Sequence, residues 1–306
     1  MADPLPAHRA DEASILKVLA YFDIFQYPLT KYEISQFLDK PFTETNLDEL
    51  LQQLLTTQTI FLYHNFYSLH HNPLPAHRRK VGNLRAEKML PKAFKIGSFL
   101  FRFPFVRAIA ISGSLSKNFA DEKADIDYFI ITRANRLWIA RTIMHLFKKL
   151  TFITGHQHYF CMNYYIDEEA LLINDQNIFT AMEIVTLVPV CGKAVLDNFF
   201  TINSWSSRFF PSFIKAHLQS EKTVKPWYKR FAEWVFDNNT GDHWEKWMLK
   251  ITSYRWEKKS RKGKLNKNGH IMKLITGKHF AQSNPGAFQE KVLALYQQKL
   301  IDLKLI

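Results

Sequence analysis

Six consecutive residues, Ile126-Asp127-Tyr128-Phe129-Ile130-Ile131, constrain this chain more than any other stretch. Their β-branched and aromatic content is that of a well-covered strand, yet Asp127 lies inside the run and Asp125 stands two positions before it. Side chains at i and i+2 of a strand point the same way, so the two carboxylates share a face at a separation of about 5–7 Å. Like charges that close repel unless a cation sits between them. Hard dications take oxygen ligands, and magnesium is commonly held by one or two carboxylates together with substrate phosphates. A preceding strand, expected over 108–112, runs directly into Gly113-Ser114. Glycine there lets the backbone approach a ligand closely, while N–H groups and the Ser114 hydroxyl suit an anion. An anion cradle beside a carboxylate-held metal is what phosphoryl transfer requires.

From 107 to about 190 the pattern reads strand, turn, strand, helix, strand, helix. The second strand is expected over 126–132, a helix over 136–150, a third strand over 159–166 and a further helix over 177–188, closed by Pro189. Within this frame, "ISGSLSKNFADEKADIDYFIIT" has ten residues between Gly113-Ser114 and Asp125-Ile126-Asp127. That arrangement resembles the signature of the DNA-polymerase-beta-like nucleotidyltransferase superfamily. The resemblance covers roughly residues 107–170 and implies a small mixed sheet with helices. It implies transfer of a nucleoside monophosphate from a nucleoside triphosphate to a hydroxyl or similar acceptor, with magnesium (or manganese) as cofactor. Gly113 and Ser114 would hold the terminal phosphates, with Lys117 in reach of a phosphate or simply solvated. Asp125 and Asp127 would be the metal-bridging, catalytic pair. The third carboxylate of such sites aligns with Asn163 in "YFCMNYYIDEE". An amide oxygen can ligate magnesium but cannot act as a base. Asp167 or Glu168 are substitutes, though about four residues on and some 13 Å along the strand. The resemblance therefore leaves two outcomes open, an active nucleotidyltransferase or a degenerate nucleotide-binding or nucleic-acid-binding relative. His156 and His158, just before the third strand, read as surface or as phosphate contacts.

Residues 1–72 form a first module. Ile15, Val18, Leu19 and Phe22 have helical spacing, Thr30-Lys31-Tyr32-Glu33 is a capping box, and Leu47, Leu50, Leu51 and Leu54 mark a third helix. "IFLYHNFYSLH" alternates like a hairpin. Three helices and a hairpin resemble a winged helix, but the third helix carries Glu44, Asp48 and Glu49 and no Lys or Arg. Phosphate neutralisation dominates nucleic-acid affinity, so a scaffold or protein-contacting role is expected. Residues 73–106 read as a basic helical connector interrupted near Pro91. Its Arg78, Arg79, Lys80, Arg85 and Lys88 form either a polyanion groove or an ordinary solvated face.

The remainder, 191–306, reads as mainly helical, with Trp205, Trp227, Trp234, Trp244 and Trp247 punctuating amphipathic runs. The net charge of +13 is concentrated here, since 206–306 holds 20 Lys and Arg against 8 Asp and Glu. Such a surface attracts polyanions, RNA among them. The expected class is α+β, with the nucleotidyltransferase-type sheet between the winged-helix-like module and the basic helical region. Two cysteines encode no disulfide framework, which suits a reducing cytoplasm. The run 96–111 is broken by Arg102, Pro104 and Arg107, and no membrane partner is expected.

Overall fold

Alternating apolar residues between 106 and 167 build the centre of the molecule, and their two faces recruit everything else. The computed structural model describes residues 7–151, 160–216, 226–263, 265, 274–283 and 287–306. The architecture is α+β. A mixed sheet of six strands has the order β6-β3-β4-β5-β8-β7. Its strands are β3 (Val106–Ser112), β4 (Asp127–Thr132), β5 (Cys161–Asp167), β6 (Val188–Cys191), β7 (Leu274–Thr276) and β8 (Phe280–Ser283). Only β4 and β5 are parallel, and α6 (Leu137–Thr151) makes the crossover between them. The other neighbours pair antiparallel.

The period of two along β3 and β4 divides the core. Ala108, Ala110, Phe129 and Ile131 lie in one cluster, with Ile109, Ile111, Tyr128 and Ile130 in the other. The first face packs against α1 (Ala7–Asp23), α7 (Ile178–Val185), α8 (Lys193–Ile202) and α11 (Phe288–Asp302) through Phe22, Met182, Phe199 and Val292. The second packs against α4 (Leu74–Leu100), α6 and α10 (Asn239–Arg261) through Ala93, Trp138 and Met248. Apolar residues from the N-terminal helices and from the last helix thus share one core with the sheet.

The N-terminal elements expected from spacing are present. They are α1, α2 (Lys31–Phe37), α3 (Glu44–Thr56) and the hairpin β1 (Phe61–Tyr63) and β2 (Phe66–Ser68). Thr30 and Glu33 form the reciprocal capping box, and His64 takes the positive φ of 57° that the two-residue turn demands. Three differences from expectation stand out. The connector is a single helix that continues through Pro91. Proline removes one N–H there, and buried Ala86, Ala93, Gly97 and Leu100 hold the helix to the sheet despite it. Pro189 does not close a helix but sits in β6, opposite Ala110. β6 is an edge strand, where a missing donor is tolerated. The last third contributes β7 and β8, strands too short for period-two alternation to stand out. No described helix is long and apolar enough to cross a membrane.

Candidate functional site

β3 ends at Ser112, opposite Asp127 at the start of β4. The chain then turns at Gly113 with φ +68°, a left-handed conformation that favours glycine. Proximity demands glycine as well. A methyl group on Gly113 would lie 2.5 Å from Asp127 Oδ2, so turn and carboxylate are in direct contact. The four-residue helix α5 (Gly113–Ser116) follows, with Ser114 exposed.

The loop after the turn is held by distant parts of the chain. Tyr27 donates its hydroxyl to the Lys117 carbonyl, and Ala120 N–H donates to Gly82 O of α4 at 3.1 Å. Lys117 Nζ donates to Glu183 Oε1 of α7 at 2.8 Å and to Gly113 O at 3.3 Å. This lysine is thus beside the turn, and its charge is balanced by Glu183.

Asp125 lies on the loop entering β4, where its charge acts on Asp127. The third expected position is here too. Asn163 Nδ2 donates to Asp127 Oδ1 at 2.5 Å, and Cys161 Sγ–H donates to Asn163 Oδ1 at 3.1 Å. A bulge explains how one strand supplies both. Cys161 pairs with Asp127 and Met162 with Tyr128, but Phe129 pairs with Tyr164, leaving Asn163 as the extra residue. Bulges re-aim side chains, and this one turns Asn163 onto the aspartate.

Asp127 is pushed up to about 7. Burial is the main cause, with the Asp125 and Glu183 charges adding to it, while the neighbouring Cys161 thiol and the charge of Lys148 oppose it. Burial, followed by the Asp127 charge, pushes the Cys161 thiol up to about 12, so it is an un-ionised donor.

The two substitutes for a third carboxylate are elsewhere. Asp167, fully buried at the far end of β5, accepts from Asn135 N–H at 2.9 Å, Glu169 N–H at 3.0 Å and His279 Nδ1 at 2.9 Å. Glu168 accepts from Ala134 N–H at 3.3 Å. Both are occupied in fastening the entry to α6.

Asp125, Asp127, Gly113, Lys117 and Asn163 are therefore gathered at one end of β3–β5. Glu183 and Tyr27 join them from positions with no local motif, and sequence reasoning missed both. The connector cations divide. Arg78 pairs with Asp121 at 2.7 Å. Arg79 is 2% exposed, pairs with Glu33 at 2.6 Å and lies 3.6 Å over the Tyr27 ring, so it is a core residue and lines no groove. His156 and His158 lie outside the described residues.

Two carboxylates beside a glycine turn can hold one dication whose remaining ligands are a substrate's phosphate oxygens. A second ion needs a further acid. Asn163 turns its NH2 group to Asp127, and among the described residues no group of three or more His, Cys, Asp or Glu is placed to hold a metal ion. The donor set suits one substrate-borne metal better than two. Comparison of the chain with protein-family models, curated proteins and solved structures found no match.

Proposed function

We propose that the chain binds a nucleoside triphosphate with magnesium or manganese at Asp125 and Asp127 and transfers its nucleoside monophosphate to a hydroxyl-bearing acceptor. In this reading the sheet is of nucleotidyltransferase type, and α1–α3 with β1–β2 is a winged-helix-like scaffold. One observation carries the proposal, the contact of Asp127 with the Gly113 turn. A metal on the carboxylate and a phosphate on the turn would then be neighbours, as phosphoryl transfer requires. The bound metal would supply charge neutralisation and orientation of the phosphates. Asp127 must lose its proton to ligate, so metal-dependent activity should rise as pH passes through 7. Lys117 is placed to exchange Glu183 for a phosphate oxygen.

The test uses the full chain with labelled nucleoside triphosphates, magnesium or manganese, and a panel of acceptors that includes RNA. Transfer is expected, with Asp127→Asn and Asp125→Asn each lowering it about a thousandfold, roughly 4 kcal/mol of barrier. Transfer that ignores both substitutions would sink the assignment.

A second reading, nucleotide binding without transfer, is favoured by the hydrogen bond from Asn163 to Asp127. Asn163→Asp separates the two. A large rise in transfer identifies the native site as a binding site lacking its third acid. No change identifies a site already complete.

A further inference from the structure

The helix α9 (Trp227–Phe236) is turned inside out. On its inward face Lys229 is 1% exposed, with Nζ donating to Phe101 O at 2.7 Å and Val106 O at 2.8 Å. One turn on, Glu233 accepts from Phe105 N–H at 2.8 Å and pairs with Arg107 at 2.8 Å. Its outward face carries Trp227, Phe231 and Trp234, exposed by 77%, 59% and 75%. These rings recur at i, i+4 and i+7 and form one stripe. The buried Lys229 and the Glu233–Arg107 pair fix the helix rotation. The stripe cannot roll inward without stranding Lys229 and Glu233, which would cost far more than the apolar burial returns.

α10 repeats the arrangement. Inward-facing Glu245 accepts from Trp138 N–H at 2.7 Å and Ile139 N–H at 2.9 Å, capping α6. Outward are Trp244 and Trp247, edge to face at 5.3 Å, and Tyr254. They are followed by exposed Arg255, Lys258 and Arg261 on the same helix and by Lys262 at its C-cap. The exposed acids nearby are engaged, Asp237 with Arg133, Asp242 with Arg136 and Glu257 with Arg261. The helix pair therefore offers rings and an excess of positive charge.

We propose that the outer faces of α9 and α10 dock the protein on an anionic lipid bilayer, without crossing it. Tryptophan and tyrosine rings favour the zone between head groups and acyl chains. Lysine and arginine near an anionic leaflet add attraction. Amphipathic helices lying in that plane combine both features. Single-stranded nucleic acid stacks on rings as well, but it is held by a basic groove that tracks its backbone beside them. Among the described residues the α9 stripe has Arg230 alone at its edge, whereas the exposed cations of the pair, Lys246, Lys250, Arg255, Lys258 and Arg261, belong to α10. That no described helix is long and apolar enough to cross a membrane bears on crossing and not on lying against one, and the proposal departs here from the expectation of no membrane partner.

The full chain is sedimented, without nucleotide, with vesicles of phosphatidylcholine containing phosphatidylglycerol and with vesicles of phosphatidylcholine alone. Binding is expected to the first, weakening with salt, and at least about tenfold less to the second. Combined Trp227→Ser, Phe231→Ser and Trp234→Ser should lower partitioning about a hundredfold while leaving the circular dichroism and Tm unchanged. Arg255→Glu with Lys258→Glu should lower it at least about tenfold on anionic vesicles only. Brominated lipid should quench the wild-type tryptophan fluorescence, which tests insertion without any variant. Each of the following overturns the proposal: no sedimentation with either vesicle, binding that survives loss of the three rings, RNA binding through those rings with vesicles ignored, or a dimer that the triple variant dissolves while vesicles remain unbound.

Discussion

Asp127 and Asp167 stand at opposite ends of the parallel pair β4–β5, and the sheet treats them oppositely. Asp167 is fully buried yet receives two backbone N–H groups and His279. Asp127 takes a side-chain hydrogen bond from Asn163 and is crowded by two further acids, Asp125 and Glu183. Fixed backbone dipoles satisfy a carboxylate at no further ordering cost, whereas desolvation and like charge work against one. One acid is a fastener. The other is held in a state the fold alone does not favour, as expected of a group kept for a ligand.

The largest effect should come from the fastener. Asp167→Ala leaves two backbone N–H groups and the His279 ring without their acceptor beside a fully buried position and should cost about 3–5 kcal/mol of stability. Urea unfolding at pH 7 measures this as a fall in midpoint with unchanged slope. A loss under 1 kcal/mol would erase the contrast between the two acids.

The second effect has the opposite sign. The folded-state value of Asp127 lies near 7, above the ordinary unfolded value of about 3.9. The folded chain therefore holds this proton more tightly than the unfolded chain does. Wild-type stability is favoured by Asp127 at low pH and declines as pH rises from about 4 to 7. Asp127→Asn keeps the shape and an acceptor for the Asn163 amide but cannot ionise. It should stabilise the protein by about 2–4 kcal/mol at pH 8 and by little at pH 4, while abolishing metal-dependent nucleotide binding. Destabilisation at pH 8 would show that Asp127, too, is a fastener.

The two acids also differ in how far sequence could read them. Asp125-Ile126-Asp127 and Gly113-Ser114 are local signals, legible because glycine and paired carboxylates are unusual inside apolar strands. Asn163 was singled out by the family resemblance, but the bulge that aims it was not legible, since a bulge is fixed by pairing with β4. Glu183 and Tyr27 reach the site from α7 and from the loop after α1, contacts set by packing rather than spacing. The same limit applied to the fold. The N-terminal helices were legible from i, i+3, i+4 patterns, whereas β6, β7 and β8 are short strands whose identity depends on the neighbour they pair with. Periodicity located amphipathic runs around Trp227 and Trp244 but could not tell which face turns inward. In α9 that choice was made by Lys229 finding two carbonyls and Glu233 finding Arg107.

The smallest effect separates two explanations of the fastener itself. Asp167 could be held by its backbone donors or by pairing with His279, whose side chain is 26% exposed. The backbone donors belong to Asn135 and Glu169 and are present whatever occupies position 279. His279→Ala removes one donor at the rim and admits water to replace it, so the cost should be about 1 kcal/mol. The backbone hydrogen bond from Asp167 N–H to the carbonyl of residue 279 survives the change, so β8 keeps its place beside β5. Paired urea titrations of His279→Ala and Asp167→Ala measure the difference directly. If the histidine variant loses as much as the aspartate variant, the imidazole is the partner that keeps Asp167 buried. The two acids would then differ in their side-chain neighbours rather than in their access to the backbone.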